Sequence, residues 1–116
     1  MAAAPMTGVE TERFLKDARP LISDGERAEL VAFVGANPEA GQVIPDTGGV
    51  RKIRGALPGR GKRGGTRVIY YYHSASLPVF LLAAYAKNEK ANLTKAERNA
   101  MRRLAPMLVT GYPRND

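Results

Sequence analysis

The chain has 116 residues, 44% hydrophobic and 25% charged, enough for one modest core and too few for a second domain or a large cofactor fold. Cysteine is absent, which excludes disulfides and thiolate metal sites. The segment MAAAPMTG has no basic and apolar leader pattern, and the longest apolar run, Leu77 to Ala86, is about half a bilayer span. A single cytoplasmic domain over residues 1–116 is expected, with residues 1–8 and 110–116 as tails and no membrane contact.

In chain order, Val9 to Phe14 alternates apolar or neutral residues with charged ones and is expected as a first edge strand. Phe14, Leu15, Ala18, Leu21 and Ile22 then recur at helical spacing, with Pro20 interrupting that helix. Ser23 and Glu26 form a capping box that opens a second helix. Leu30, Val31 and Val34 line its inner face, and Asn37 and Pro38 end it. After a turn-rich stretch come three strand-like runs, Val50 to Arg54, Thr66 to Tyr72 and Pro78 to Ala86, rich in β-branched, aromatic and aliphatic residues. A second capping box, Thr94 with Glu97, starts a last helix carrying Ala100, Met101, Leu104 and Leu108. The order β-α-α-β-β-β-α predicts a small α+β domain, an antiparallel sheet packed with a helical hairpin and a C-terminal helix.

The net charge of +7 is confined to one place. Arg51, Lys52, Arg54, Arg60, Lys62, Arg63 and Arg67 fall within seventeen residues that contain no acid, and the remaining 11 basic residues are matched by 11 acids. Seven mutually repelling charges at that density point to a polyanionic partner. The competing explanation is a solvated basic face, although charge kept for solubility is normally mixed in sign and dispersed. Gly59, Gly61 and Gly64 satisfy G-x-G-x-x-G, but the motif leads into a strand and does not open a helix, so it is not a dinucleotide fingerprint. Ala56 and Arg63 stand where a P-loop needs glycine and serine or threonine. What remains is a glycine-rich loop whose backbone approaches a phosphate and whose cations Arg60, Lys62 and Arg63 reach it, or a solvated hairpin loop.

If the second and third strands turn around residue 60, Arg54 faces residue 66 and Lys52 faces residue 68. A turn around residue 75 sets Arg67 opposite residue 83 and brings Lys87 close beyond. Lys52, Arg54, Arg67 and Lys87 then converge at one end of the sheet. His73, the single histidine, lies six residues from Arg67, about 20 Å along an extended strand. It is expected to be a hairpin-end residue. The carboxylates are scattered, so no metal site and no cofactor are expected, and only Glu89 lies near the basic end.

The segments DTGGVRKIR, GRGKRGGTRVIYYY and YAKNEKANLTKAE, at these spacings, resemble the HigB-like branch of the RelE superfamily of bacterial type II toxins. The resemblance covers about Val9 to Leu104. It implies a RelE-like fold and a ribosome-dependent mRNA endonuclease, inhibited by a cognate antitoxin that often carries a helix-turn-helix domain. It also implies an active surface of basic residues on the Val50–Arg54 and Thr66–Tyr72 strands, plus a basic or polar group after the last strand. The matching positions are Lys52 and Arg54, then Arg67, then Lys87 with Asn88. Arg51 and the loop cations would assist in binding RNA or the ribosome. Pro20 and Pro106 depart from the pattern, at positions where helices of that family continue. The same superfamily holds toxins directed at gyrase, so a gyrase-directed toxin and a non-catalytic basic nucleic-acid-binding module stand as alternatives.

RNA cleavage through its own 2′-OH needs a base for that hydroxyl, an acid for the departing 5′-oxygen and cations for the charge on phosphorus. Arg54 and Arg67 suit the phosphate, because guanidinium stays charged and binds two oxygens at once. Lys52 and Lys87 suit proton transfer, since a cluster of like charges favours a neutral amine, or simple phosphate positioning. Glu89 is a weaker candidate base. Tyr85 is the tyrosine best placed to stack a base, whereas Tyr70 to Tyr72 read as sheet packing.

Overall fold

The computed structural model describes residues 6–55 and 65–112. Arg60, Lys62 and Arg63 lie outside them. The elements are β1 (Gly8–Glu10), α1 (Glu12–Ala18), α2 (Asp24–Ala36), β2 (Gln42–Val43), β3 (Val50–Arg54), β4 (Thr66–Tyr71), β5 (Val79–Ala86) and α3 (Lys95–Gly111). They form one five-stranded sheet in the order β1-β5-β4-β3-β2. This is the expected α+β class, with three corrections.

The sheet is mixed and not wholly antiparallel. β2 to β5 form an antiparallel meander, but β1 pairs in parallel with β5, Gly8 opposite Val79 and Glu10 opposite Leu81. The helical hairpin α1–α2 carries the chain from β1 at one edge to β2 at the other. The three reversals of the meander then bring β5 back alongside β1.

The first strand also ends earlier than its alternation suggests. Thr11 caps α1: its Oγ1 accepts from the Phe14 amide at 3.2 Å and donates to the Leu81 carbonyl at 2.8 Å. A threonine hydroxyl that satisfies an orphan amide starts a helix there, so Phe14 is a buried helical residue.

The other helix ends follow the sequence. α1 stops at Ala18, before Pro20. Ser23 with Glu26 and Thr94 with Glu97 form complete capping boxes. α3 continues through Pro106 to Gly111. Proline removes one backbone donor and crowds the preceding turn, yet Met101 and Ala105 remain buried on the inner face.

Alternation along the strands divides the apolar residues between two cores. One face of the sheet presents Val68, Tyr70, Val79 and Leu81 to Phe14, Ala18, Leu30 and Val34 of the helical hairpin. The other presents Val50, Ile69, Phe80 and Ala83 to Met101 and Ala105 of α3. Each fully buried large side chain contributes about 1.5–3 kcal/mol. Among the described residues, no helix is long and apolar enough to cross a membrane.

β2 is a strand the predicted order lacks: Val43 and Ile44 are strand formers, but the run is too short, between Gly41 and Pro45, to stand out, and its neighbours hold it in place. The Tyr70 hydroxyl accepts from the Gly41 amide and donates to the Pro38 carbonyl, each at 2.8 Å, and so anchors the segment entering β2. The turn leaving β2 uses positive φ at Asp46, Gly48 and Gly49, and the Thr47 hydroxyl donates to the Ile44 carbonyl inside it.

Candidate nucleic-acid interface

Arg54 stands directly opposite Arg67 across the β3–β4 ladder, and Lys52 opposite Ile69. Beyond Arg54 the Gly55 amide donates to the Thr66 carbonyl at 2.8 Å. Alternation of the ladder therefore makes Arg54 and Arg67 a non-hydrogen-bonded pair, the kind with Cα atoms about 4.5 Å apart and side chains closest together. A Cβ at Gly55 would lie 2.9 Å from the Thr66 side chain, so only glycine lets the two strands close at this point.

Across the β4–β5 ladder Arg67 faces Tyr85. The expected partner was residue 83, two places off. One place comes from a bulge at Ile69/Tyr70, where Ile69 faces Ala83 and Tyr70 faces Leu81, leaving Leu82 as the extra residue. The other comes from the position of the turn. Past the end of β5 the Lys87 amide donates to the Gly65 carbonyl at 2.6 Å, which holds Lys87 beside the entry to β4. Lys52, Arg54, Arg67 and Lys87 therefore gather at one end of the sheet. By the period of two, Lys52, Arg54, Arg67 and Tyr85 share the face that α3 covers further along.

Exposure within the cluster is graded. Arg54 and Lys87 are exposed, while Lys52 and Arg67 are half-buried. The Lys52 Nζ donates to Asn92 Oδ1 at 3.1 Å, and the Arg67 Nη1 donates to the Thr66 carbonyl at 3.2 Å. Asn88 and Glu89 are exposed in the turn after β5, with the Glu89 amide donating to the Ala86 carbonyl at 3.0 Å.

Two expected contributors are placed differently. Tyr85 is only 8% exposed, in the core under α3 with Ile69, Leu93 and Met101, and the Lys90 Nζ sits 5.1 Å from its ring centroid. A base has no open ring face to stack on there. Burial pushes the Tyr85 phenol up, while the Arg67 charge pulls it down and Glu97 adds to the rise. Tyr85 is thus a neutral phenol packed beneath the cations.

Arg51 points to the opposite face, beside Tyr70. Its Nη1 donates to the carbonyls of Glu39 at 3.1 Å and Gly41 at 2.8 Å, and its Nε is buried without a partner among the described residues. Arg51 braces the approach to β2. His73 lies past the far end of β4, with its Nδ1 3.2 Å from the Tyr71 hydroxyl, away from the cations as expected.

The structure adds residues that the charge count does not reveal. Glu97 uses Oε1 to cap α3 and Oε2 to bind the Lys90 Nζ at 2.6 Å, with the Arg13 guanidinium 3.6 Å away. Partial burial alone would raise the Glu97 carboxyl, but the hydrogen bond from Lys90, the Thr94 amide and the Lys90 charge outweigh it and hold the group below its ordinary range. This network fixes the segment from Lys87 to Thr94 over the sheet end. The Thr94–Glu97 capping box was the available signal: the chain has only seven residues, 87–93, between β5 and that box, so Asn92 must pass close to the basic cluster.

Residues 10–112 match the family described as the RelE toxin of the RelE/RelB toxin–antitoxin system. The match takes in all three helices and β2 to β5, and the chain belongs to the RelE toxin family.

Proposed function

We propose that this toxin is a ribosome-dependent mRNA endonuclease of the HigB-like branch that cleaves RNA through the 2′-OH. The observation that carries the reading is the direct opposition of Arg54 and Arg67, with Lys52 and Lys87 beside them. Like charges directly opposite on a sheet are unfavourable, and a dianionic phosphorane is a ligand that turns this repulsion into attraction.

In the proposed reaction a base removes the 2′-OH proton, and the alkoxide attacks phosphorus. The P–O5′ bond breaks and the 5′-oxygen takes a proton, leaving a 2′,3′-cyclic phosphate and a free 5′-OH. Arg54 and Arg67 bind the non-bridging oxygens as charge accumulates there. Lys52 and Lys87 are the proton carriers, with Glu89 as a second candidate base. Loop cations Arg60, Lys62 and Arg63, together with Asn88, extend contact along the RNA and ribosome.

The activity acts on translated mRNA in the cytoplasm and is held in check by a cognate antitoxin of the helix-turn-helix type. Primer extension on mRNA translated in the presence of purified protein tests the reading: new 5′ ends within codons support it. Intact mRNA together with stalled gyrase would transfer the toxin to the gyrase-directed class.

A further inference from the structure

Asn92 is exposed, and among the described residues its side chain makes one hydrogen bond, its Oδ1 accepting from the Lys52 Nζ at 3.1 Å across 40 residues of sequence. An exposed bond of this kind adds little to folding, because water competes for both partners. The backbone of Asn92 is nevertheless held on both sides. Two residues before it, Glu97 binds the Lys90 Nζ at 2.6 Å. Directly after it, the Leu93 side chain is buried and the Leu93 carbonyl accepts from the Arg98 Nη1 at 2.9 Å. The approach to α3 thus holds a polar side chain against Lys52 without burying it, which is the arrangement of a supporting residue and not of a core residue.

The charges around Lys52 give that acceptor a use. Arg54 lies two places along the same strand, Arg67 diagonally across on β4, and Lys87 just past β5. Arg98 of α3 and Asp46 of the turn after β2 border the same cleft as Lys52, and Asp46 is the single carboxylate among its lining residues. A point charge on a flexible four-carbon stem is driven outwards by so many cations. An amide oxygen opposes that drift. Unlike a carboxylate, it does so without a negative charge that would compete with phosphate for the amine.

We propose that Asn92 is a positioning residue for Lys52, an inference that rests on the nuclease reading. An ammonium has three N–H groups, and the neutral amine has two and a lone pair. With one N–H committed to Asn92, the other positions of Nζ are left for the reacting atoms. Lys52 then takes the 2′-OH proton or delivers one to the 5′-oxygen from a fixed place, and Asn92 acts only through it.

Two variants separate holding from charge. Asn92→Ala removes the acceptor, and Asn92→Asp keeps an acceptor of the same shape while adding a charge. Primer extension with purified protein in excess over translated mRNA resolves the maximal rate from the half-saturating protein concentration. Asn92→Ala should lower the maximal rate by about tenfold to a hundredfold, the scale of a misplaced catalytic group, and leave half-saturation within about twofold. Asn92→Asp should exceed Asn92→Ala at its own pH optimum. Its carboxylate favours the charged amine, so the limb of the rate–pH profile that Lys52 governs should move to higher pH.

A parental rate in Asn92→Ala, a loss confined to half-saturation, or a profile unmoved in Asn92→Asp would overturn the proposal. NMR of the protein alone reads the contact without turnover: the two Lys52 ε-methylene protons should be inequivalent in the parent protein and merge in Asn92→Ala. A parent that shows this difference but leaves translated mRNA intact keeps the Asn92–Lys52 contact and loses the nuclease assignment. A parent that cuts mRNA while Lys52 is indifferent to Asn92→Ala does the reverse.

Discussion

Arg54 and Arg67 face each other as a non-hydrogen-bonded cross-strand pair at the open end of the sheet. Two like charges directly opposite on a sheet destabilise it. Arg54→Gln keeps the aliphatic stem and removes one charge, so it should raise the urea midpoint slightly while lowering mRNA cleavage by about 10² to 10³. Loss of stability in this variant would show that the pair supports the fold.

The concentration of charge between Arg51 and Arg67 predicts binding to RNA that weakens steeply with salt. The log–log slope should be about −0.7 per phosphate contact on a single strand. Arg54→Gln should reduce its magnitude by roughly one contact, and a slope near zero in the parent protein would remove the electrostatic account.

Tyr70 predicts a stability effect distant from the cations. Its hydroxyl joins the Gly41 amide and the Pro38 carbonyl in a buried site. Tyr70→Phe orphans that amide, a loss of about 1–3 kcal/mol, readable in urea unfolding. Because the tether holds the entry to β2, amide exchange at Gln42 and Val43 should speed up as well.

Glu97 predicts a dependence on pH. Its folded-state carboxyl is held below the ordinary value of 4.5, so it stabilises the fold above that value and the contribution is lost as pH falls below it. Glu97→Gln preserves the reach of the capping box but not the charge facing Lys90. It should cost under about 1 kcal/mol at pH 7, since the pair is partly exposed, and the variant and parent should converge towards pH 3. A constant difference across that range would assign the effect to capping alone.

Much of this architecture is legible in the residues. Both capping boxes, the stop before Pro20 and the bounds of β3 follow from local chemistry, and the candidate site stands out because seven cations lie in one acid-free stretch. What escaped depended on contacts distant in sequence. β2 exists because Tyr70 anchors its approach, Thr11 ends β1 because the Leu81 carbonyl is within its reach, and the bulge at Leu82 leaves no mark in an unbroken apolar run. Tyr85 and Arg51 depart from expectation for a related reason: alternation gives the face of a strand but not what covers it. α3 closes over Tyr85, and the carbonyls before β2 engage Arg51.

The central claim, that cations converging at Arg67 stabilise the phosphorane, is tested most directly by primer extension on translated mRNA with purified, folded Arg67→Ala. Cleavage should fall by about 10² to 10³ relative to the parent protein, with partial recovery in Arg67→Lys, where a point charge replaces a bidentate fork, and with antitoxin binding largely kept. Cleavage at the parental rate by Arg67→Ala would contradict the account.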